Sequence, residues 1–271
     1  MAPNSAQLLD SIPDLERPHG ERLRVSAIIP AYNEGARVVD VLETISRSTL
    51  ADEIVVVTDG CTDDTAPNIR AWLERRGADA KPVQLFELAH NIGKGGAMAH
   101  GAHHAGAEIL LFLDADLIGL QASQVDEMIA PMLREEKPAD MVLGLFGAVR
   151  GGLLGWWLSY CHRSVPSITG QRAIRRELFL ATPGLTHSRF GVEAAITCFV
   201  QSDPDLKVEY AYLHAVTHPI KEEKLGPWRG ARNRARMYRE IARTVITHRV
   251  RQQTIKNREK ALDRTERSGN K

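Results

Sequence analysis

The chain has 271 residues, 43% of them hydrophobic, which is enough for one sizeable globular domain with an appendage and is unlike a disordered protein. No apolar run approaches the ~20 residues of a membrane span, and the first residues lack the basic and apolar regions of a signal peptide. The net charge is only +1, but residues 228–271 hold 14 Lys and Arg against 4 Asp and Glu, so the excess of base lies at the end of the chain.

The three cysteines, Cys61, Cys161 and Cys198, are odd in number, lie far apart and fit no zinc-binding spacing. Such cysteines are typical of a reducing compartment, so we expect a cytoplasmic protein. Residues 1–22 contain three prolines among many polar side chains, which indicates an extended N-terminal arm.

Strand and helix patterns alternate over the first half of the chain. The apolar spacing predicts strands at 24–30, 53–59, 83–88 and 108–114, and helices at 33–48, 61–77 and 93–107. This alternation is typical of βαβ units, so we predict an α/β fold with a mostly parallel central sheet flanked by helices.

After Gln121 the pattern is less regular. A helix is predicted at 123–135 and a strand at 139–147, whereas residues 148–190 show no clear period. From Gly230 onward, apolar residues on one face and arginines elsewhere predict a long basic amphipathic helix.

The fourth predicted strand ends in two acids. In the run ILLFLDADLI, five apolar residues are followed directly by Asp114, Ala115 and Asp116. Two carboxylates this close repel each other unless a cation lies between them, and oxygen ligands suit Mg²⁺ or Mn²⁺. The alternative is a solvated strand end at which Asp116 caps the next helix.

The other predicted strands also end in candidate functional residues. Right-handed crossovers bring the carboxyl ends of parallel strands to one edge of the sheet, where open α/β sheets bind ligands. We therefore expect residues 30–34, 58–64, 91–96 and 114–116 to meet there. Asp59 has two interpretations that remain open: it accepts a hydrogen bond from a nucleotide base, or it caps a helix.

Lys94 lies among three glycines, Gly93, Gly95 and Gly96, at the start of a predicted helix. Glycines let the backbone approach a ligand closely, and a helix N-terminus favours anions, so Lys94 is a candidate phosphate contact. The pattern is not a Walker P-loop, and a tight turn with close helix packing is the alternative.

Four segments together resemble glycosyltransferase family 2, and are nearest in pattern to the dolichyl-phosphate mannose and glucose synthases. They are VSAIIPAYNEGARVVDVLETI, EIVVVTDGCTDDT, NIGKGGAMAHGAHHAGAEILLFLDADL and SITGQRAIRRELF. The resemblance implies a GT-A fold in residues 23–227, with a nucleotide-binding half at 23–120 and an acceptor half at 121–227. The basic helical tail would then span 228–271.

The resemblance also implies roles for individual residues. The nucleoside would be held by Pro30, Ala31, Tyr32 and Glu34, and its base by Asp59; Gly93 and Lys94 would lie near the donor. Asp114, Ala115 and Asp116 match the D-x-D motif, in which the second acid carries a metal that bridges two phosphates. Gln171 and Arg172, after Gly170, match an acceptor-side motif, and Glu193 matches an acid that faces the acceptor.

The chain departs from the family pattern at three positions. Thr58 replaces the first acid of the usual DDGS, Ile118 replaces a metal-binding glutamine of some lipid-phosphate synthases, and Gln171 replaces a phenylalanine. Several GT-A enzymes supply a late histidine as a third metal ligand; His218 is the first candidate here and His214 the second. The trio His100, His103 and His104 is interpreted as packing or solvent-facing.

The resemblance implies a metal-dependent transfer of a sugar from a nucleotide-diphosphate sugar, with UDP favoured over GDP. A hydroxyl acceptor benefits from a base, for which Glu193 is the candidate, whereas a polyprenyl phosphate needs none. The alternative for Glu193 is a carboxylate paired with Arg172 or Arg189. The tail suggests either contact with an anionic membrane at its inner face or packing on the catalytic domain.

Two other functions compete with sugar transfer. A nucleotidyltransferase would need a glycine-rich, arginine-bearing loop after the first strand, which PAYNEGAR supplies poorly. A nucleic-acid binder acting through the basic helix fits badly with acidic strand ends, so no nucleic-acid partner is expected. The acceptor and the oligomeric state are not predicted by the sequence.

Overall fold

The computed structural model of the protein describes residues 22–77, 80–146, 169–185 and 191–217. Its strands are β1 (Val25–Ala31), β2 (Glu53–Asp59), β3 (Val83–Leu88), β4 (Ile109–Phe112), β5 (Met141–Phe146), β6 (Arg172–Arg175) and β7 (Val208–Leu213). Its α-helices are α1 (Val38–Ser46), α2 (Thr65–Glu74), α3 (Lys94–His104), α4 (Ala122–Ile129), α5 (Arg176–Ala181) and α6 (Val192–Val200), and a 3₁₀ turn, Ala130–Met132, follows α4. The predicted arm and basic tail lie outside the described residues.

The seven strands form one sheet in the order β3-β2-β1-β4-β6-β5-β7. Neighbouring strands are parallel except for β6, which runs antiparallel to both β4 and β5. The predicted α/β class with a mostly parallel sheet is therefore confirmed. β6 and α5 lie within the stretch 148–190, for which the sequence pattern predicted no element.

The sheet separates two apolar cores because successive side chains of a strand point to opposite faces. In β1, Ala27 and Ile29 belong to the core beneath α1, α2 and α4, whereas Ile28 belongs to the core beneath α3, α5 and α6. All three are fully buried. Covering both faces is what makes the strands read as continuous apolar runs.

The local sequence explains the buried face of α1 and the end of α4. In α1 the buried residues Val38, Val41, Leu42 and Ile45 recur at helical spacing and face the sheet. The helix after residue 121 ends at Ile129 and continues only as a 3₁₀ turn, because Pro131 has no N–H to extend it. It is therefore shorter than the predicted 123–135.

Among the described residues, no helix combines the length and the hydropathy needed to cross a bilayer.

Candidate active site

The loops that follow β1 to β4 meet at the carboxyl edge of the sheet, as predicted. Asn33 after β1 accepts a hydrogen bond from the backbone N–H of Thr62 after β2, at 2.9 Å. Asp59 at the end of β2 binds the loop after β3, and Lys94 from that loop contacts Asp114 beyond β4. Each loop is thus joined to the next by a polar contact, which makes one continuous rim.

Asp59 holds the loop after β3 in place at the rim. Its carboxylate is 3% exposed and accepts hydrogen bonds from two backbone N–H groups, those of Ile92 at 2.6 Å and Gly93 at 2.9 Å. Gly93 has φ +88°, a conformation that favours glycine. Asp59 thereby fixes the turn that opens α3, whether or not it also contacts a base.

Lys94 is the centre of the site's charged cluster. Its Nζ lies 2.6 Å from Asp114 Oδ1 and 2.6 Å from Glu193 Oε1. Burial acts to lower the pKa of the Lys94 ammonium, but the two carboxylates outweigh it and raise that pKa above its ordinary value. Lys94 is therefore a permanent cation held between two acids.

Glu193 does not pair with Arg172, contrary to one of the expectations above. The carboxylate of Glu193 contacts Lys94, and Arg172 Nη1 donates instead to the backbone carbonyl of Glu193, at 2.9 Å. Arg189, the other expected partner, lies outside the described residues. Because Arg172 is 0% exposed, burial lowers its pKa to about 10, and the charges of Glu193 and Asp114 act in the opposite direction.

Gln171, just before β6, and Arg172, the first residue of β6, both lie at the site. Gln171 is 0% exposed, and its Nε2 donates to Asp114 Oδ2 at 3.0 Å. A Cβ on Gly170 would lie only 2.7 Å from Asp114 Oδ2 and 2.8 Å from Lys94 Nζ, so only glycine fits there without displacing one of them. Asp114 is therefore held by Lys94 on one oxygen and by Gln171 on the other.

Asp116 lies two residues beyond Asp114 and is partly exposed. Within the described ranges no three His, Cys, Asp or Glu side chains form a metal-binding group. His218, the predicted third ligand, lies outside them. Its neighbour Thr217 forms an antiparallel bridge with Ile118, with N–H to O distances of 2.9 and 3.0 Å in the two directions.

The remaining predicted donor residues line the same rim. Tyr32 is 49% exposed just beyond β1, and Glu34 donates its backbone N–H to Thr65 Oγ1 at 2.8 Å. Pro30 and Ala31 are the last two residues of β1. Ala115, which stands between Asp114 and Asp116 in the sequence, is buried. Sequence reasoning missed Thr169, which joins β5 to the site by a hydrogen bond of 2.6 Å from its Oγ1 to the carbonyl of Gly144.

Sequence comparison finds relatives whose similarity is confined to part of their length. The chain is 32% identical over 114 residues to glucosyl-3-phosphoglycerate synthase of Mycobacterium tuberculosis, which covers 41% of this chain and 35% of that protein. It is 35% identical over 103 residues to dolichyl-phosphate beta-glucosyltransferase of Drosophila melanogaster, which covers 35% of this chain and 31% of that protein. The chain thus matches about a third of the length of these curated relatives.

Structure comparison gives the same fold. A crystal structure of glucosyl-3-phosphoglycerate synthase from Mycobacterium tuberculosis, in complex with Mg²⁺ and uridine diphosphate, superposes with a TM-score of 0.61 at 22% identity. The match covers 83% of this chain and 79% of that one. The architecture is therefore that of the GT-A glycosyltransferases.

The family model described as Glycosyl transferase family 2 matches residues 26–197, which hold the Asp59 turn, the Lys94 cluster and the D-x-D segment. That span is more than half of the chain and includes β1 to β6 together with most of α6. The chain belongs to glycosyltransferase family 2.

Proposed function

We propose that the chain transfers a sugar from a nucleotide-diphosphate sugar, in the first place a UDP-sugar and in the second GDP-mannose, to an acceptor, with the help of Mg²⁺ or Mn²⁺. The observation that carries the proposal is the Lys94 cluster at the carboxyl edge of the sheet, where Lys94 contacts Asp114, the first acid of the D-x-D segment, and Glu193. The related synthase was crystallised with uridine diphosphate and with Mg²⁺ or Mn²⁺, which supports the choice of donor and ion.

The rim residues after β1 and β2 would hold the nucleoside. Tyr32 offers an exposed ring above the edge, and the buried Asp59 has further lone pairs on the two oxygens that accept backbone N–H groups. Pro30, Ala31 and Glu34 would complete this side of the pocket. The Asp59 turn sets Gly93 and the N-terminus of α3 against the diphosphate, where a helix dipole favours negative charge.

The acids beyond β4 fit a divalent metal. Both oxygens of Asp114 are already in contact with Lys94 and Gln171, so Asp116 is assigned as the principal ligand and Asp114 as a supporting one. Thr217 pairs with Ile118, two residues beyond Asp116, and the next residue in the sequence, His218, is kept as the proposed third ligand. When bound, the ion would neutralise charge that develops on the leaving diphosphate.

Lys94 would share that task. Its ammonium is held ready by two carboxylates, and as the glycosidic bond breaks it is positioned to stabilise the anionic leaving group. The buried Arg172 adds positive potential beside this cluster, since its charge interacts favourably with those of Glu193 and Asp114. These groups act by position and charge and form no covalent bond.

The acceptor determines what Glu193 does. With a hydroxyl acceptor, Glu193 would release its contact with Lys94 and act as the base that takes the proton of the hydroxyl group. With a phosphate acceptor no base is needed, and the role of Glu193 would be to hold Lys94 in place. The relatives are named for both kinds of acceptor, phosphoglycerate and dolichyl phosphate. Attachment of the tail to an anionic membrane would suit a lipid-linked acceptor and remains part of this proposal.

The test is a panel of UDP- and GDP-sugars, each measured with and without Mn²⁺ by the shift in melting temperature of the full chain. We expect one UDP-sugar with Mn²⁺ to raise the melting temperature, and Asp116→Ala to abolish the rise. Asp205→Ala is the control, because Asp205 is exposed and precedes β7 at the opposite edge of the sheet. A panel in which no nucleotide sugar shifts the wild-type protein would refute the donor assignment.

A further inference from the structure

A histidine pair on the outer part of α3 lies apart from the residues assigned to sugar transfer. His100 and His104 are one helical turn apart, and their ring centres are 4.5 Å apart with an interplanar angle of 35°. His104 is exposed and His100 is partly buried. Phe86 of β3 backs both rings, with centre distances of 5.2 and 4.3 Å, so the pair sits on an apolar support.

The hydrogen bond of His104 fixes which of its nitrogens is available. His104 Nδ1 lies 2.9 Å from the backbone carbonyl of His100. A carbonyl only accepts, so Nδ1 carries the proton and Nε2 keeps its lone pair. Histidines that bind metals ordinarily donate their other ring N–H to a carbonyl or a carboxylate in this way.

We propose that His100 and His104 form a second metal site, which takes a transition ion of the imidazole-binding class such as Zn²⁺, Ni²⁺ or Cu²⁺. Two histidines at positions i and i+4 on one helix face can share a metal ion. With metal–nitrogen distances of about 2.1 Å, the ring centres of two such ligands lie roughly 4.5–5 Å apart, which is the spacing already present here. Water completes the coordination.

Chemistry separates this site from the carboxylate site at the sheet edge. Carboxylate oxygens suit Mg²⁺ and Mn²⁺, whereas neutral imidazole favours zinc, nickel and copper. Desolvation, followed by the neighbouring His104 and His103, lowers the pKa of His100, which keeps that ring neutral and able to bind near pH 7. The inference does not depend on the proposed sugar transfer, since none of its residues belongs to the donor or acceptor groups.

The test is titration of the untagged full chain with Ni²⁺ and with Cu²⁺ in a buffer containing excess Mg²⁺, which occupies the carboxylate site. Affinity is measured by calorimetry, and the Cu²⁺ complex by electron paramagnetic resonance. We expect one Ni²⁺ or Cu²⁺ ion to bind per chain, and the copper spectrum to show nitrogen ligands. At saturation the melting temperature should rise by about 2–4 °C.

His104→Gln and His103→Gln form the decisive pair of variants, because both residues are exposed on the same helix and only His104 is stacked on His100. Loss of an outer-shell partner alone costs about 10–100-fold in metal affinity, so loss of a ligand in His104→Gln should weaken binding at least tenfold. His103→Gln should change it less than about twofold. Equal losses in the two variants, or wild-type binding that is unchanged in His104→Gln, would overturn the proposal.

Discussion

The ammonium of Lys94 lies 2.6 Å from the carboxylate of Glu193, although 99 residues separate the two in the sequence. The contact ties the first residue of α3 to the first turn of α6, across the edge of the sheet. Lys94 also binds Asp114, so one cation links α3 to the loop after β4 and to α6.

Lys94→Met should destabilise the fold, because Asp114 and Glu193 would then face each other without a shared cation. Removing one member of a largely buried ion pair costs about 3–5 kcal/mol, and the residual exposure of Lys94, 26%, reduces this to about 2–3 kcal/mol. Urea unfolding of Lys94→Met, Glu193→Gln and the double variant measures the coupling. If the effects of the two single changes simply add, the ion pair contributes nothing to stability.

Gly170→Ala should impair activity more than stability. The new Cβ meets the far ends of Asp114 and Lys94, which can shift aside at small cost to the fold but no longer lie in place for the substrate. A displacement near 1 Å costs about 100-fold in kcat/KM, whereas the melting temperature should change by no more than about 2–3 °C. Gly77→Ala is the matched control, since its Cβ would meet nothing within 4 Å. Unchanged kinetics in Gly170→Ala would show that the close approach is unimportant.

Asp59→Asn should weaken binding of uridine nucleotides. An amide at this position can accept only one of the two backbone N–H groups, those of Ile92 and Gly93, and its NH₂ opposes the other. The loss of a charged hydrogen bond is worth about 1.5–3 kcal/mol, which corresponds to a tenfold or larger rise in the Kd for UDP. Asp64→Asn serves for comparison, because Asp64 caps α2 without a side-chain hydrogen bond. The Kd for UDP of both variants is measured by calorimetry. Equal affinity in Asp59→Asn and Asp64→Asn would argue against this role of Asp59.

Asp126 should make stability depend on pH in the acid range. Desolvation acts to raise the pKa of its carboxyl, but hydrogen bonds from Ser48, Thr49 and Leu50 prevail and lower it. A lowered folded pKa gives stability that is present above the unfolded value, about 3.9, and is lost as the pH falls through the folded value.

Asp126→Asn should therefore cost about 1.5–3 kcal/mol in unfolding free energy at pH 7, and the difference from the wild type should narrow below about pH 4. Asp40→Asn, an exposed change on α1, should stay within about 0.5 kcal/mol throughout. Chemical denaturation at a series of pH values measures both variants. If the difference in unfolding free energy between the wild type and Asp126→Asn grew as the pH fell, the assigned lowering of the Asp126 pKa would be contradicted.

The sequence was a good guide to the first half of the fold. The predicted strands 53–59 and 83–88 agree with the structure residue for residue, because the first holds a continuous apolar run and the second is mostly apolar with polar residues at two positions. The fourth strand is shorter than predicted and ends at Phe112, which leaves Asp114 on the loop where it can meet Lys94.

The sequence was a poor guide to β6. This strand has only four residues, two of them arginines, so it has neither the length nor the apolar period of a buried strand. It is nevertheless central, because it pairs with β4 and β5 on either side, and Arg172 finds its partners in α6 and in the segment before β6. Long-range pairing overrides local preference at this point.

The sequence by itself determined that four strand ends would share an edge, because alternating strands and helices leave few topologies and crossovers have one hand. It also determined the family, through motifs whose order and spacing survive without coordinates. Only the tertiary structure decided which charges meet: Glu193 with Lys94, and Gln171 with Asp114. Such contacts form between groups distant in the chain, and local periodicity carries no information about the distances between them.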